Sequence, residues 1–377
     1  MTAEGHAISA GAVTTGVPRP EIAAFLAAAG HAAAALSPLA GDASARRYFR
    51  VEDRGARMVL MDAPRPANES MAFFVTVTDW LRARGLSAPE VLAADLEAGF
   101  VLLEDLGDAL FARVLSTARG GGGAGMEEIL YAAAVDLLAA LPEGEAPVGT
   151  EPYGDTVLLR EARLAPDWWA AGLGVGFGAD ALAEYDALLQ AALAPALVAG
   201  NAQGRVTVLR DYHAENLLWL PERAGAARVG LLDYQDALLG HPAYDLVSLL
   251  EDARRDTSAA LREAMLARYL ERRGLSGADA AAFRAAYAAL GAQRNLKIVG
   301  IFARLCLRDA KPRYLTLIPR VWAHLERDLA APGLAPLRRF VVERLPAPEA
   351  AALERLAARA GCGMADGDVA GAGSAPL

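Results

Sequence analysis

The stretch LRDYHAENLLWL places Asp211 five residues before Asn216, with a short apolar run directly after it. A second carboxylate, Asp233, ends the next such run in GLLDYQD. A loop of this kind presents a carboxylate and an amide from one turn, and the hairpin 217–233 would bring Asp233 back beside them. Two oxygens, from Asn216 and Asp233, can hold Mg²⁺, a hard ion that takes a few protein oxygens and completes its shell with phosphates and waters. Asp211 is then left to accept a proton from an attacking hydroxyl. These are the parts needed for in-line phosphoryl transfer, where positioning and charge neutralisation supply most of the catalysis. A lone D-x-x-x-x-N is more often a loop cap. Here strand, loop, hairpin and second Asp come in order, and Gly240-x-Pro242-x-x-Asp245-Leu246 follows.

The elements that must position these residues differ along the chain. IAAFLAAAG (22–30) predicts a short helix stopped at Gly30. RYFRV (47–51) and RMVLMDA (57–63) predict two strands, joined by a Glu52-Asp53-Arg54-Gly55 turn in which Gly supplies the unusual φ. Residues 69–84 predict a helix stopped at Gly85, and PEVLAAD (89–95) with GFVLLED (99–105) a second strand pair. Helical periods dominate from Leu110 onward, interrupted by the short β-rich runs 205–210, 217–220 and 227–233. The layout is α+β: a small antiparallel β-rich lobe over 21–105, a mainly helical lobe over 106–345, a frayed 1–20, and a C-terminal helix and disordered tail over 346–377. Two glycine clusters, 120–125 and 172–178, follow no strand and predict loops rather than nucleotide sites.

Arg210-Asp211, Asn216 and Asp233 match the spacing of the protein-kinase catalytic set. With the segment from Gly240 to Leu246 they resemble the aminoglycoside phosphotransferase and choline kinase branch of that superfamily, a bilobal protein-kinase-like fold. GDASARRYFRV (41–51), MDAP (61–64), LLEDLGD (102–108), RNLKIVGIFARL (294–305) and RDAKPRYL (308–315) are similar to the bacterial N-acetylmuramate/N-acetylglucosamine kinases. Those enzymes use ATP and Mg²⁺ to phosphorylate the anomeric hydroxyl of cell-wall amino sugars. The resemblance implies Asp211 as base, Asn216 and Asp233 as metal ligands, and Asp245 as a buttress of the catalytic loop. It implies a phosphate-covering loop in which Gly41, Ala43 and Ser44 let backbone N–H groups approach phosphate. Arg46 or Arg47 would add charge, and the backbone of Glu104, Asp105 and Leu106 would bind adenine.

Three departures stand out. The strand position that usually carries a phosphate-binding Lys has Met61 and Asp62 instead, so Arg46 or Arg47 would substitute. Leu209 replaces the common His two residues before the catalytic Asp, and Glu215 stands where a basic or neutral residue is expected. For the acceptor, Trp168 offers an aromatic face to a pyranose, and Asp155 and Glu161 can receive sugar hydroxyls. Lys297 or Arg304 can pair with a carboxylate such as the lactyl group of N-acetylmuramate. Core packing and surface solvation are the plainer readings for the Trp and for the two cations.

The 377 residues carry 37 Lys+Arg against 46 Asp+Glu, a net charge of −9 that argues against a sequence-independent nucleic-acid binder. Much of the 54% hydrophobic content is alanine spread along the chain, and no apolar stretch predicts a membrane span. Cys306 and Cys362 make neither a disulfide framework nor a zinc site, and the first residues make a poor signal peptide. The expectation is a cytoplasmic monomer acting on a small-molecule amino sugar, with no nucleic acid or membrane as partner. An aminoglycoside- or choline-type kinase, a nucleotide-binding regulatory pseudokinase and a helical interaction module remain as rivals. The first would need an acidic acceptor pocket. The second is motivated by the missing Lys, and the third leaves the ordered acidic loop unexplained.

Overall fold

Residues 18–39, 46–64, 71–118, 125–197 and 204–363 are described by a computed structural model. The expectations for Gly41, Ala43 and Ser44, for most of the glycine cluster 120–125, for residues 1–17 and for the tail beyond 363 lie outside them, while the expected C-terminal helix is Ala350–Ala357. The chain divides into two compact units, Met1–Ala109 with Leu218–Gln235, and Leu110–Leu217 with Asp236–Leu377.

The first unit is built on a five-stranded antiparallel sheet in the order β1-β2-β3-β5-β4. Its strands are β1 (Ala35–Pro38), β2 (Arg47–Asp53), β3 (Ala56–Asp62), β4 (Val91–Asp95) and β5 (Phe100–Glu104). Between β2 and β3 the turn residues Arg54 and Gly55 both have positive φ, 51° and 84°. That is the handedness a two-residue hairpin loop needs. Alternation then puts Phe49 and Val51, Met58 and Leu60, and Phe100 and Leu102 in one buried cluster with Ile22 and Leu26 of the helix Glu21–Ala28. Each such side chain contributes roughly 1.5–3 kcal/mol by leaving water. β1 has no apolar alternation, being mostly exposed, and was not legible as a strand.

The segment 218–235 belongs with this unit, not with the helical half expected from its position in sequence. Its two strands, β7 (Leu217–Trp219) and β8 (Val229–Leu231), pair with one another. The N–H of Leu231 donates to the Ser87 carbonyl at 2.9 Å. Arg223 pairs with Glu104 at 2.7 Å. Tyr234 stacks on Phe74 of the helix Met71–Ala83 at 5.4 Å and shares a 2.8 Å hydrogen bond with Thr78. Gly230 is required by close approach, since a Cβ there would lie 3.0 Å from Leu218 and 3.2 Å from Leu106.

The second unit is helical apart from one antiparallel pair, β6 (Val206–Val208) with β9 (Leu238–Gly240), which flanks the loop carrying Asp211. Its central member is the helix Gly277–Leu307. Around its middle this helix is buried on all sides, yet it carries Gln293, Arg294, Asn295 and Lys297 inward. Buried polar groups of this kind need partners. At Gly300 a Cβ would lie 2.2 Å from the carbonyl carbon of Leu164, so only glycine lets that backbone approach. Just beyond Leu164, the turn Ala165–Ala170 widens to π-helical geometry, a form often found at functional sites.

Candidate active site

The catalytic-loop candidate is held from below by Asp245, in the first turn of the helix Ala243–Leu250. Its carboxylate accepts the N–H of Leu209 at 2.6 Å and of Arg210 at 2.8 Å. This is the buttress expected of the Gly240–Leu246 segment. Burial pushes the Asp245 carboxyl up to about 7, against the two N–H donors that hold it down. Arg210 has a φ of 70°, in the left-handed region that a side chain disfavours. Such backbone costs of order 1–3 kcal/mol and persists where surrounding contacts over-determine it. Here Asp245 grips its N–H, and the Ser248 hydroxyl donates to its carbonyl at 3.2 Å.

The strained turn sets Asp211 among cations. Burial pushes its carboxyl up, but Arg294, Lys297, His213 and Arg210 outweigh that and hold it below the ordinary carboxylate range. Asp211 is therefore ionised at neutral pH, as a proton acceptor must be. Asn216 donates through Nδ2 to the backbone carbonyl of Asp211 at 3.0 Å, which turns its Oδ1 away from that bond. An amide oxygen oriented this way fits a hard cation. His213 is buried, and burial pushes it below its ordinary value, against the pull of Asp252 and Asp211. Glu215 pairs with Arg254 at 2.9 Å, which accounts for an acidic residue at that position.

Behind Asp211 lies a buried ion cluster. Glu161, 1% exposed, accepts from Lys297 at 2.9 Å, from Arg210, and through its other oxygen from the Tyr153 hydroxyl. Burial pushes the Glu161 carboxyl up, and Lys297, Arg210 and Tyr153 together hold it below its ordinary value. Tyr153 packs edge-on against Tyr244 at 4.7 Å, and Arg294 donates to the Tyr244 hydroxyl at 3.3 Å. Glu161 and Lys297 are thus brought together, but on each other. With both oxygens engaged, Glu161 is not an open acceptor for sugar hydroxyls, and much of the Lys297 charge is balanced.

The other acceptor candidates have surroundings of their own. Trp168 is partly exposed in the π-helical turn, while its neighbour Trp169 is core and donates to the Pro346 carbonyl at 2.8 Å. Asp155 is exposed at the start of the helix Asp155–Ala162 and accepts the N–H of Thr156 at 2.8 Å. Arg304 has Arg308 and Asp309 as its charged neighbours. Sequence reasoning passed over Tyr153, Tyr244 and Arg294. The signal available was the polar run Gln293-Arg294-Asn295-x-Lys297 inside an otherwise apolar helix.

In the first unit, the two arginines have different partners. Arg47 pairs with Asp62, which is wholly buried and also takes Arg19 at 2.7 Å. Arg46 instead lies 3.7 Å from Asp233 and bonds the Tyr48 hydroxyl. Asp233 itself has a φ of 58°, and its Oδ1 accepts from Gln235 at 2.9 Å. Its carboxylate, 44% exposed, fits a metal ligand. Before Asp105 and Leu106 the sheet ladder ends with Glu104, whose N–H donates to the Glu90 carbonyl at 2.8 Å. Asp105 is held by Arg50 at 2.8 Å and accepts the Gly107 N–H at 2.8 Å. The backbone of Asp105 and Leu106 thus lies beyond the ladder.

Residues 35–285 match the phosphotransferase enzyme family, and the chain belongs to that family. It is 42% identical over 360 residues to an N-acetylmuramate/N-acetylglucosamine kinase of Caulobacter vibrioides, covering 86% of this chain and 96% of that one. It is 38% identical over 310 residues to the enzyme of the same name from Pseudomonas aeruginosa, covering 81% and 87%. In fold it is similar to a choline/ethanolamine kinase family protein from Mesorhizobium loti, with a TM-score of 0.57 at 17% identity over 90% of this chain and 98% of that one. The fold is α+β and protein-kinase-like, and the activity is phosphotransfer. A kinase of this family uses ATP with a divalent cation. No helix among the described residues is long and apolar enough to cross a membrane.

Proposed function

We propose that this chain transfers the γ-phosphoryl group of ATP, with Mg²⁺, to the anomeric hydroxyl of N-acetylmuramate or N-acetylglucosamine, as a cytoplasmic monomer in peptidoglycan recycling. The observation that carries the reading is Asp211, ionised among four basic side chains on a strained loop. The names of the relatives at 42% and 38% identity support the acceptor class.

In this reading Asp211 orients the acceptor hydroxyl and receives its proton as the new O–P bond forms. A carboxylate held below its ordinary range is a weak base. An anomeric hydroxyl is more acidic than an ordinary alcohol, which suits such a base. Asn216 and Asp233 are the oxygens proposed to hold the metal, which when bound neutralises charge on the phosphates. Arg46 is proposed to act where the usual lysine would, and the backbone of Asp105 and Leu106 to receive adenine. Glu161 serves as a positioning residue, acting through Arg210.

The test incubates the purified chain with Mg²⁺-ATP and a panel of amino sugars, aminoglycosides and choline, and follows phosphate transfer by mass. Phosphorylation of the amino sugars at C1 is expected. Turnover confined to aminoglycosides or choline would sink the acceptor assignment, and nucleotide binding without turnover of any acceptor would favour a regulatory role.

A further inference from the structure

The helical unit holds a second convergence of polar groups. A cavity of about 390 Å³ lies between Asp256–Thr257, the helix Ala259–Arg272 and the helix Ile318–Asp328. Arg320, His324 and Arg327 line it from one helix face, at spacings of four and three, and Arg262 faces them from the other helix. The volume is in the range of small-molecule sites, roughly 300–1,000 Å³.

The charges around the cavity are unevenly balanced. Asp256 takes up Arg320 through two bonds, of 2.6 and 3.1 Å. Arg327 lies 3.5 Å from Glu251. Arg262 donates to the carbonyl of Thr257 and forms no ion pair among the described residues. Burial and the charge of Arg327 push the Arg262 guanidinium below its ordinary value, against the opposing pull of Glu251, Tyr287 and Asp328.

His324 supplies the second observation. Its Nδ1 accepts from Arg327 at 2.5 Å. A ring nitrogen that accepts carries no proton, so in the neutral imidazole Nε2 carries it. That Nε2–H has no hydrogen-bond partner among the described residues, although the residue is only 5% exposed. A buried donor without an acceptor is costly. His324 lines a cavity flanked by guanidinium groups, whose planar forks suit carboxylate and phosphate.

We propose that this cavity binds the oxyanion group of a small molecule, a carboxylate or a phosphate, through Arg262 and Arg327, beside His324. The segment that borders it also touches the catalytic loop. Arg254 pairs with Glu215, and the neighbouring Ala253 carbonyl accepts from Arg320 at 3.0 Å. The anion therefore has two sources, the carboxylate of an acidic acceptor sugar or the phosphate of a separate ligand. Assigning the first rests on the proposed acceptor class; the anion site itself does not.

The experiment titrates the full chain with N-acetylmuramate, N-acetylglucosamine and inorganic phosphate by calorimetry, and follows the ¹⁵N signal of His324 Nε2. It repeats both with Arg262→Gln and Arg327→Gln. Arg327 is 39% exposed, so its variant remains informative if Arg262→Gln folds poorly. A loss of N-acetylmuramate affinity of about tenfold or more in the variants, with N-acetylglucosamine unchanged, identifies the carboxylate source. Phosphate binding that shifts the His324 signal and is lost in the variants identifies the phosphate source. Neither probe moving the His324 signal, or both binding the variants as well as the parent chain, overturns the proposal. Failure of the acceptor assignment would show separately, as absent phosphate transfer to either sugar.

Discussion

Glu161 accepts the guanidinium of Arg210, the residue immediately before Asp211, across 49 positions of chain. The same carboxylate takes Lys297, so one buried anion sets two of the four basic groups that keep Asp211 ionised. Orientation and basicity of the base thus depend on a residue that has no open oxygen to offer an acceptor.

Replacing Glu161 by Leu strands two cations in a dry environment. A loss of about 3–5 kcal/mol is expected, the range for breaking a buried pair, and is read from chemical denaturation. Because the folded chain holds Glu161 below its ordinary value of 4.5, the unfolded chain binds that proton more tightly. The stability it contributes is complete above about pH 4.5 and lost as pH falls through the folded-state value. Glu161→Gln should flatten that acid limb.

Asp211→Asn removes the proton acceptor but keeps the shape. Turnover should fall by about 10²–10⁴-fold, the usual contribution of a positioned base, with nucleotide affinity little changed. Near-parental turnover would remove Asp211 from the mechanism.

Lys297→Met takes one cation from beside Asp211. The carboxyl should then rise toward its ordinary range, moving the acid limb of the kcat/KM profile to higher pH. A purely structural lysine would lower turnover without moving that limb.

The two arginines of the first unit should separate in their effects. Arg46→Met should raise the KM for ATP with little change in Tm. Arg47→Met should cost about 1.5–3 kcal/mol of stability, since Asp62 is buried and would keep Arg19 alone.

Gly300→Ala forces a methyl against the Leu164 backbone. A loss of about 1–3 kcal/mol is expected from overpacking, measured as a lower denaturation midpoint.

The amino-acid sequence by itself determined the strand pairs of the first unit, the turn at Arg54-Gly55, and the order of Asp211, Asn216, Asp233 and Asp245. These follow from period-two alternation, glycine placement and short-range spacing, all properties of neighbouring residues. It did not determine what Glu161 and Lys297 touch, because a charged side chain reads the same whether its partner is water or an ion 49 or more positions away. Only the tertiary structure decided that Glu161 closes on Arg210 and Lys297, that Arg46 rather than Arg47 stands by Asp233, and that 218–235 folds with the N-terminal strands. Those outcomes depend on which distant segments exclude water together, and burial is what turns a charge on a helix face into a committed partner.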